Sequence, residues 1–437
     1  MNTWGEGEHS DCPGCSAEFR RYDCPLMIRP NQKLRIIVGG LVGQFPLGGV
    51  AWDYFHYVLG LDQLGHDVYY HEDTWVWPFN PKLMYATDDP TYTVDFLRDF
   101  FRAHAPQLEK KWHYVLFHEK HFGMSSEEFR EVAQSADIFL NVSGACFVPE
   151  ELGPKCLKVF LDTDPGYNQI MLSEKFAWSQ NVERWCALVA NHDRHLTYAE
   201  NIYGADCLVP RMKFDWRPTR CVVTLPQWSS ARDSAPPADA ALTTVMTWDW
   251  FGGPLKYGGV EYFAKSAEFE KFLDLPTRIK TPLELALNGL KAPLSQLEKA
   301  GWQVVDAHEK TLTPQSYQEF IARSAGEWSV AKNVYVATRS GWFSCRTACY
   351  LASGRPAVVQ ETGWSRFVPG GRGVIPFTTM EEAIAGIAAV KADPVGQRNA
   401  AYEIAREYLA PDRVLPAMIE SIFKENIATD EKSDAHR

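Results

Sequence analysis

The feature that most constrains this chain is a regular order of short apolar runs and helical periodicity. Leu34-Arg35-Ile36-Ile37-Val38 has the length of a strand and leads straight into the glycine-rich stretch from Gly39 to Gly49. Val50, Tyr54, Val58, Leu61 and Leu64 then recur at three- and four-residue intervals, the period of a helix. Gly65 stands where that helix should end, and Asp67 to Tyr70 is the next strand. A strand, helix and strand within about 40 residues specify a right-handed crossover between parallel neighbours. The pattern continues with strands predicted at Tyr114–Phe117, Asp137–Val142, Leu157–Asp162 and Cys186–Ala190, and a helix at Ser125–Ala133. A second series places strands at Thr243–Trp248, Leu283–Leu287, Trp302–Val305, Asn333–Ala337 and Ala357–Gln360. Its helices fall at Thr347–Ala352, Met380–Lys391, Asn399–Tyr408 and Val414–Phe423. The expected fold class is α/β: two Rossmann-like, doubly wound parallel sheets facing a central cleft.

The length of 437 residues suits two such domains. The expected division is a polar tail over 1–32, an N-terminal domain over 33–228, a linker over 229–240, a C-terminal domain over 241–425 and a charged tail over 426–437. The linker reads SSARDSAPPADA, small and polar with a proline pair. Lys and Arg number 44 against 55 Asp and Glu, a net charge of −11. That balance predicts no nucleic-acid partner and no attachment to anionic membrane, because both call for a basic surface. No apolar run reaches the roughly 18 residues of a membrane span, and the first residues lack a secretory signal pattern. The ten cysteines mostly sit in apolar runs, which suits a reduced, cytoplasmic setting. Cys12, Cys15 and Cys24, with His9, are four potential zinc ligands, but their spacing matches no standard finger and the simpler reading is a tail.

In open parallel sheets ligands collect beyond the carboxyl ends of the strands, so the loops there are the candidate site. Gly39–Gly49 is neither GxGxxG nor a Walker loop, since Gly48 is followed by Gly49-Val50 where Lys-Ser/Thr would stand. It is a loop whose backbone can approach a ligand, or a tight turn without one. Ser340-Gly341-Trp342-Phe343-Ser344-Cys345-Arg346-Thr347 offers hydroxyls, amides and a guanidinium for a phosphate group. Gln360-Glu361-Thr362-Gly363-Trp364-Ser365 follows the next strand and is expected to converge on the same pocket. His118-Glu119-Lys120-His121 is one residue short of the HExxH zinc motif, and no Gly-x-Ser-x-Gly elbow occurs.

Residues 334–377, VYVATRSGWFSCRTACYLASGRPAVVQETGWSRFVPGGRGVIPF, resemble the C-terminal signature of the GT-B glycosyltransferases, most specifically at Gly354-Arg355-Pro356. The opening VGGLVGQFPLGGVAWDYFHYVLGLDQLGHDVYY resembles the start of the same family, and the likeness spans roughly 33–425. The resemblance implies transfer of a sugar from a nucleoside-diphosphate sugar to an acceptor, both small molecules, with no metal or other cofactor required. It implies donor binding by Ser340, Gly341, Ser344, Arg346, Glu361, Thr362 and Gly363, and an acceptor-side loop at Gly40, Gly43, Gly48 and Gly49. Retaining members carry two glutamates spaced E-x7-E; the corresponding positions here are Gly341 and Cys349, so the ribose contact passes to Glu361. Charge on the leaving diphosphate would be met by Arg346, Lys332 or Arg339, with Lys256 more distant. A base for the acceptor would come from Asp164, His71 or Asp53; Asp164 belongs to a strand-end Asp162-Thr163-Asp164, which is also the pattern of a helix cap before Pro165. A sugar-nucleotide epimerase of the same fold and a catalytically silent sugar-nucleotide-binding protein are the alternatives.

Overall fold

The computed structural model describes residues 32–173, 182–249, 254–289 and 291–425. The tail cysteines and the charged C-terminal tail lie outside the described residues. The first sheet has eight strands in the order Trp216–Pro218, Arg194–Thr197, Leu157–Asp162, Ile138–Val142, Arg35–Gly39, Asp67–Asp73, Trp112–Leu116 and Lys120–Gly123. Every neighbour pair is parallel except the last, a hairpin pairing His113 with Gly123. The second sheet has six strands, all parallel, in the order Gln303–Asp306, Leu283–Asn288, Leu242–Thr247, Gly326–Ser329, Ala357–Gln360 and Val374–Phe377. The expected α/β class with two parallel sheets is what the chain adopts.

The cores follow from the patterning. Helix Gly48–Gln63 buries Trp52, Phe55, Val58 and Leu61 against the first sheet and helix Thr91–His104, with the Phe55 and Phe100 rings stacked 3.8 Å apart. The second sheet packs Phe269, Phe272, Trp302 and Phe377 around Trp328, whose ring lies parallel to that of Phe377 at 5.6 Å. Burying each of these large apolar side chains contributes about 1.5–3 kcal/mol before chain entropy is counted.

Three local expectations need correction. Cys186–Ala190 belongs to helix Val182–Ala190, and Asn333–Ala337 is a short helix. These are apolar runs of five residues (Cys186–Ala190) and four (Val334–Ala337), for which periodicity cannot separate a buried strand from a buried helical turn. The strand that occupies the second place is Gly326–Ser329, hidden in the sequence because Glu327 and Ser329 make it look polar. The stretch 229–240 is not bare linker: it opens with helix Ser229–Asp233, and Ala231 is buried, as is Trp228 just before it. The last helix, Pro411–Phe423, returns to the first half, where Leu415 and Pro411 sit against Gly60 and Arg194 donates to the Ile422 carbonyl. Among the described residues no helix is long and apolar enough to cross a membrane.

Candidate active site

A cleft of about 560 Å³ opens where the carboxyl ends of the two sheets meet. The first half contributes Leu47, Gly49 and Asp53 from the loop and helix after strand Arg35–Gly39, and Thr163 and Asp164 from beyond Leu157–Asp162. The second half contributes Val245 to Thr247, Asn288, His308, Lys265, Lys332, Ser344, Cys345 and Arg346. Gly48 donates its N–H to the Leu312 carbonyl at 3.0 Å, so the first helix starts on the backbone of the other half. A Cβ on Gly48 would lie 2.2 Å from the Thr313 carbonyl oxygen, so only glycine fits there.

The glycine loop is fastened from beneath rather than presented to a ligand. Glu72 accepts from the Gly43 and Gln44 amides, both at 2.6 Å, and Gly40 N–H donates to the His71 carbonyl. Gly40 and Gly43 are small because Tyr70 and Tyr114 press on them. Of the four glycines expected on the acceptor side, Gly49 lines the cleft, and the amides of Gly40, Gly43 and Gly48 are taken up internally.

The acid candidates separate. Asp53 faces the water of the cleft yet has protein packed around it, which pushes its carboxyl up to about 7 against the opposing pull of Cys345 and Arg346. Asp164 lines the cleft, ion-pairs with Lys332 and accepts from the Tyr335 hydroxyl. Asp162 does not join it: its carboxylate is buried among Thr197, Asn168 and Gln169. His71 lies inside the sheet, its ring stacked on Phe129 at 4.3 Å and bonded to His113, so it faces no ligand. Burial holds its imidazole far below the usual range, the neighbouring histidines adding to the effect.

The donor-side candidates separate too. Arg346 lines the cleft, but Nε donates to buried Glu327 at 2.6 Å, Nη1 to the Val245 carbonyl at 2.8 Å and Nη2 to Ser329 at 2.9 Å. Its charge is matched by Glu327, so the free bidentate grip expected of it does not exist; it is a wall of the pocket. Ser344 lines the same wall. Ser340 and Gly341 lie under that wall, Gly341 N–H donating to the Thr362 carbonyl and Asn201 N–H to the Ser340 carbonyl. Glu361 accepts from Gly363 N–H and Thr362 donates to the Trp342 carbonyl, so these three brace the 340–342 turn and do not reach the cleft. Arg339 pairs with Asp206, which Arg366 shares, and Lys256 pairs with Glu261 on an exposed hairpin.

The cation that sequence reasoning missed is Lys265. It opens helix Lys265–Phe269, lines the cleft and, among the described residues, makes no hydrogen bond or ion pair. Burial, then the charges of Arg346 and Lys332, push its ammonium well below its usual range. A lone lysine outside any motif gives no sequence signal; only the fold brings it to the cleft that Asp53 also lines. Also missed is an aromatic ledge on the first half, where exposed Trp75 and Trp77 meet Phe117, and Trp75 also meets His118. Trp75, Phe117 and His118 all have positive φ, a costly backbone for bulky residues that concentrates at functional positions.

No family model matches this chain, and no curated protein matches it by sequence. Solved structures do. An alpha-glucosyltransferase in complex with UDP and a 13-mer DNA containing a central A:G mismatch is 12% identical, with 90% of this chain and 100% of that chain covered and a TM-score of 0.56. The same enzyme with UDP and a 13-mer DNA containing a HMU base is 11% identical over 90% and 100%, TM-score 0.55. Its complex with UDP alone is 11% identical over 90% and 100%, TM-score 0.52. At such identities the likeness establishes the fold: two parallel-sheet halves about a cleft, the GT-B architecture of glycosyltransferases. It also corrects the expectation that nucleic acid is excluded, since proteins of this architecture are bound to DNA. A net charge is summed over the whole chain, whereas contact with a polyanion depends on local charge.

Proposed function

We propose that this protein is a glycosyltransferase that takes a hexosyl group from a nucleoside-diphosphate sugar held mainly by the second half and passes it to an acceptor on the first. The observation that carries this reading is Lys265, an ammonium with no ion-pair partner among the described residues, in the wall of a cleft of about 560 Å³ where the charges of Arg346 and Lys332 outweigh the pull of Glu327 and Asp164. A diphosphate would supply a counter-charge, and the attraction grows as the sugar departs and charge accumulates on the leaving oxygen. Lys332 adds a second positive group that Asp164 holds in place. Ser344 and the first amides of helix Cys345–Ala352 add donors directed at the same space. In this reading the transfer needs no metal, and the enzyme works in the cytoplasm.

On the opposite wall, Asp53 has the proton affinity of a base near neutrality and would accept the acceptor's hydroxyl proton. Asp164 positions Lys332 and Tyr335. The ledge of Trp75 and Trp77, each edge-on to Phe117, offers the acceptor exposed ring faces to stack on. The test is release of nucleoside diphosphate from a panel of UDP-, GDP-, ADP- and dTDP-sugars, with and without candidate acceptors. Stabilisation by a donor and its loss in Lys265→Ala are the expected results. Turnover without acceptor would favour an epimerase, and binding without turnover a silent protein.

A further inference from the structure

We propose that a second anion site lies at the amino ends of the second sheet, away from the cleft, in a hollow lined by Arg232, Asp233, Gly354, Arg398 and Asn399, and that it takes a single phosphate group. The hollow measures about 170 Å³, room for roughly five or six waters at about 30 Å³ each. That volume suits one phosphate with a small substituent.

Two guanidinium groups, Arg232 and Arg398, line it, and a third, Arg355, is packed close enough behind to feel the charge of Arg398. Arg355 is fully buried, and its donors reach only neutral carbonyls: Ala322, Ser353 and Ser234. Arg398 donates through Nη2 to the Arg232 and Ser234 carbonyls, both at 2.9 Å, while its Nε is buried with no hydrogen-bond partner. Arg232 lies over the Tyr402 ring at 3.8 Å. Among the described residues no carboxylate forms an ion pair with any of the three, and Asp233, which also lines the hollow, is paired with none of them. Other partly buried arginines are matched by a carboxylate: Arg217 by Asp215, Arg220 by Glu200 and Arg346 by Glu327.

Like charges set side by side repel until an anion arrives, and the half-buried Arg398 adds an orphan N–H to the deficit. Burial, then the charge of Arg398, lowers the Arg355 guanidinium to about 10, a sign that the groups feel one another. A guanidinium fork matches the oxygens of a phosphate. The carbonyls at the end of helix Cys345–Ala352 do not oppose it, because Gly354 N–H donates to Leu351 and Arg355 covers Ser353. Arg232 belongs to the connecting helix Ser229–Asp233 and Arg398 to helix Pro394–Ile404, so one bound phosphate would tie the connection to the second half.

The test is thermal unfolding and calorimetry of the full chain in sodium phosphate against chloride at equal ionic strength. Phosphate should raise the unfolding temperature of the unaltered protein and of Lys265→Ala, in which the cleft is disabled. Arg232→Gln/Arg398→Gln should bind phosphate at least tenfold more weakly. Arg398→Lys, which keeps charge and loses the fork, should fall between and serves if the double variant does not fold. An unchanged affinity in the double variant and in Arg398→Lys overturns the site, as does loss of phosphate binding in Lys265→Ala. Methyl phosphate distinguishes the source: tighter binding than inorganic phosphate assigns a phosphomonoester, and equal or weaker binding assigns inorganic phosphate; failure of both to bind overturns the proposal.

Discussion

The two walls of the cleft are built alike and charged oppositely. Each is the carboxyl edge of a parallel sheet, yet the first half brings two carboxylates, Asp53 and Asp164, and the second brings three cations, Lys265, Lys332 and Arg346, against one carboxylate, Asp249. The second difference lies in how the charges are held. Arg346 and Lys332 are matched by Glu327 and Asp164, while Asp53 and Lys265 have no ion-pair partner among the described residues. Matched charges give the cleft its shape. Unmatched ones are shifted toward their neutral forms by burial and respond most when a ligand enters.

Altering the unmatched pair should have the largest effects. Lys265→Ala is expected to lower donor turnover by about 10²–10³-fold, the scale of removing one group that stabilises developing charge. Its unfolding temperature should stay the same or rise, since a dehydrated ammonium is removed. Asp53→Asn should lower turnover by roughly 10²-fold or more, as for loss of a general base. On the proposed function, kcat/KM of the unaltered protein should climb with pH up to about 7, where Asp53 ionises. Stability carries the opposite sign. The folded Asp53 carboxyl holds its proton to about 7 and the unfolded one releases it near 3.8, so stability falls as pH rises between these values. Asp53→Asn should flatten that slope in thermal unfolding measured from pH 4 to 8.

Altering a matched pair should instead damage the fold. Glu327→Gln leaves Arg346 charged and buried, for a loss of about 3–5 kcal/mol by denaturant unfolding. The smallest change is expected at His71→Gln, where turnover should stay within twofold because the ring faces Phe129 and His113 rather than the cleft. A large fall in turnover there would break the division between the two walls.

The architecture was readable because the parallel-sheet pattern is local: Ile36-Ile37-Val38, the glycines and the Val50–Leu64 period are contiguous. What failed was short and buried. Asn333–Ala337 reads as a strand because the four apolar residues after Asn333 have no period to betray a helical turn, and Gly326–Ser329 does not read as one because the charge of Glu327 is offset only when Arg346 is folded onto it. The site was legible as a place more than as a set of groups. Asp53, Asp164, Ser344, Arg346 and Gly49 line the cleft, whereas Glu361, Thr362 and Gly363 brace a turn behind it and His71 lies in the sheet. Sequence order told which loops would meet, but which side chains already had partners is a property of the folded packing. Lys265 and the Trp75–Trp77 ledge were invisible for the same reason.

The bond from Gly48 N–H to the Leu312 carbonyl has a consequence for turnover. It joins the halves through main chain alone, at a position where any larger residue would strike Thr313. If the halves part to let product leave, this latch must open in every cycle, and no side-chain exchange can remove it while sparing the packing. It would have to open together with the side-chain bonds that join the same halves, Lys332 to Asp164 and Arg339 to Asp206, and of these it is the one that point changes leave in place.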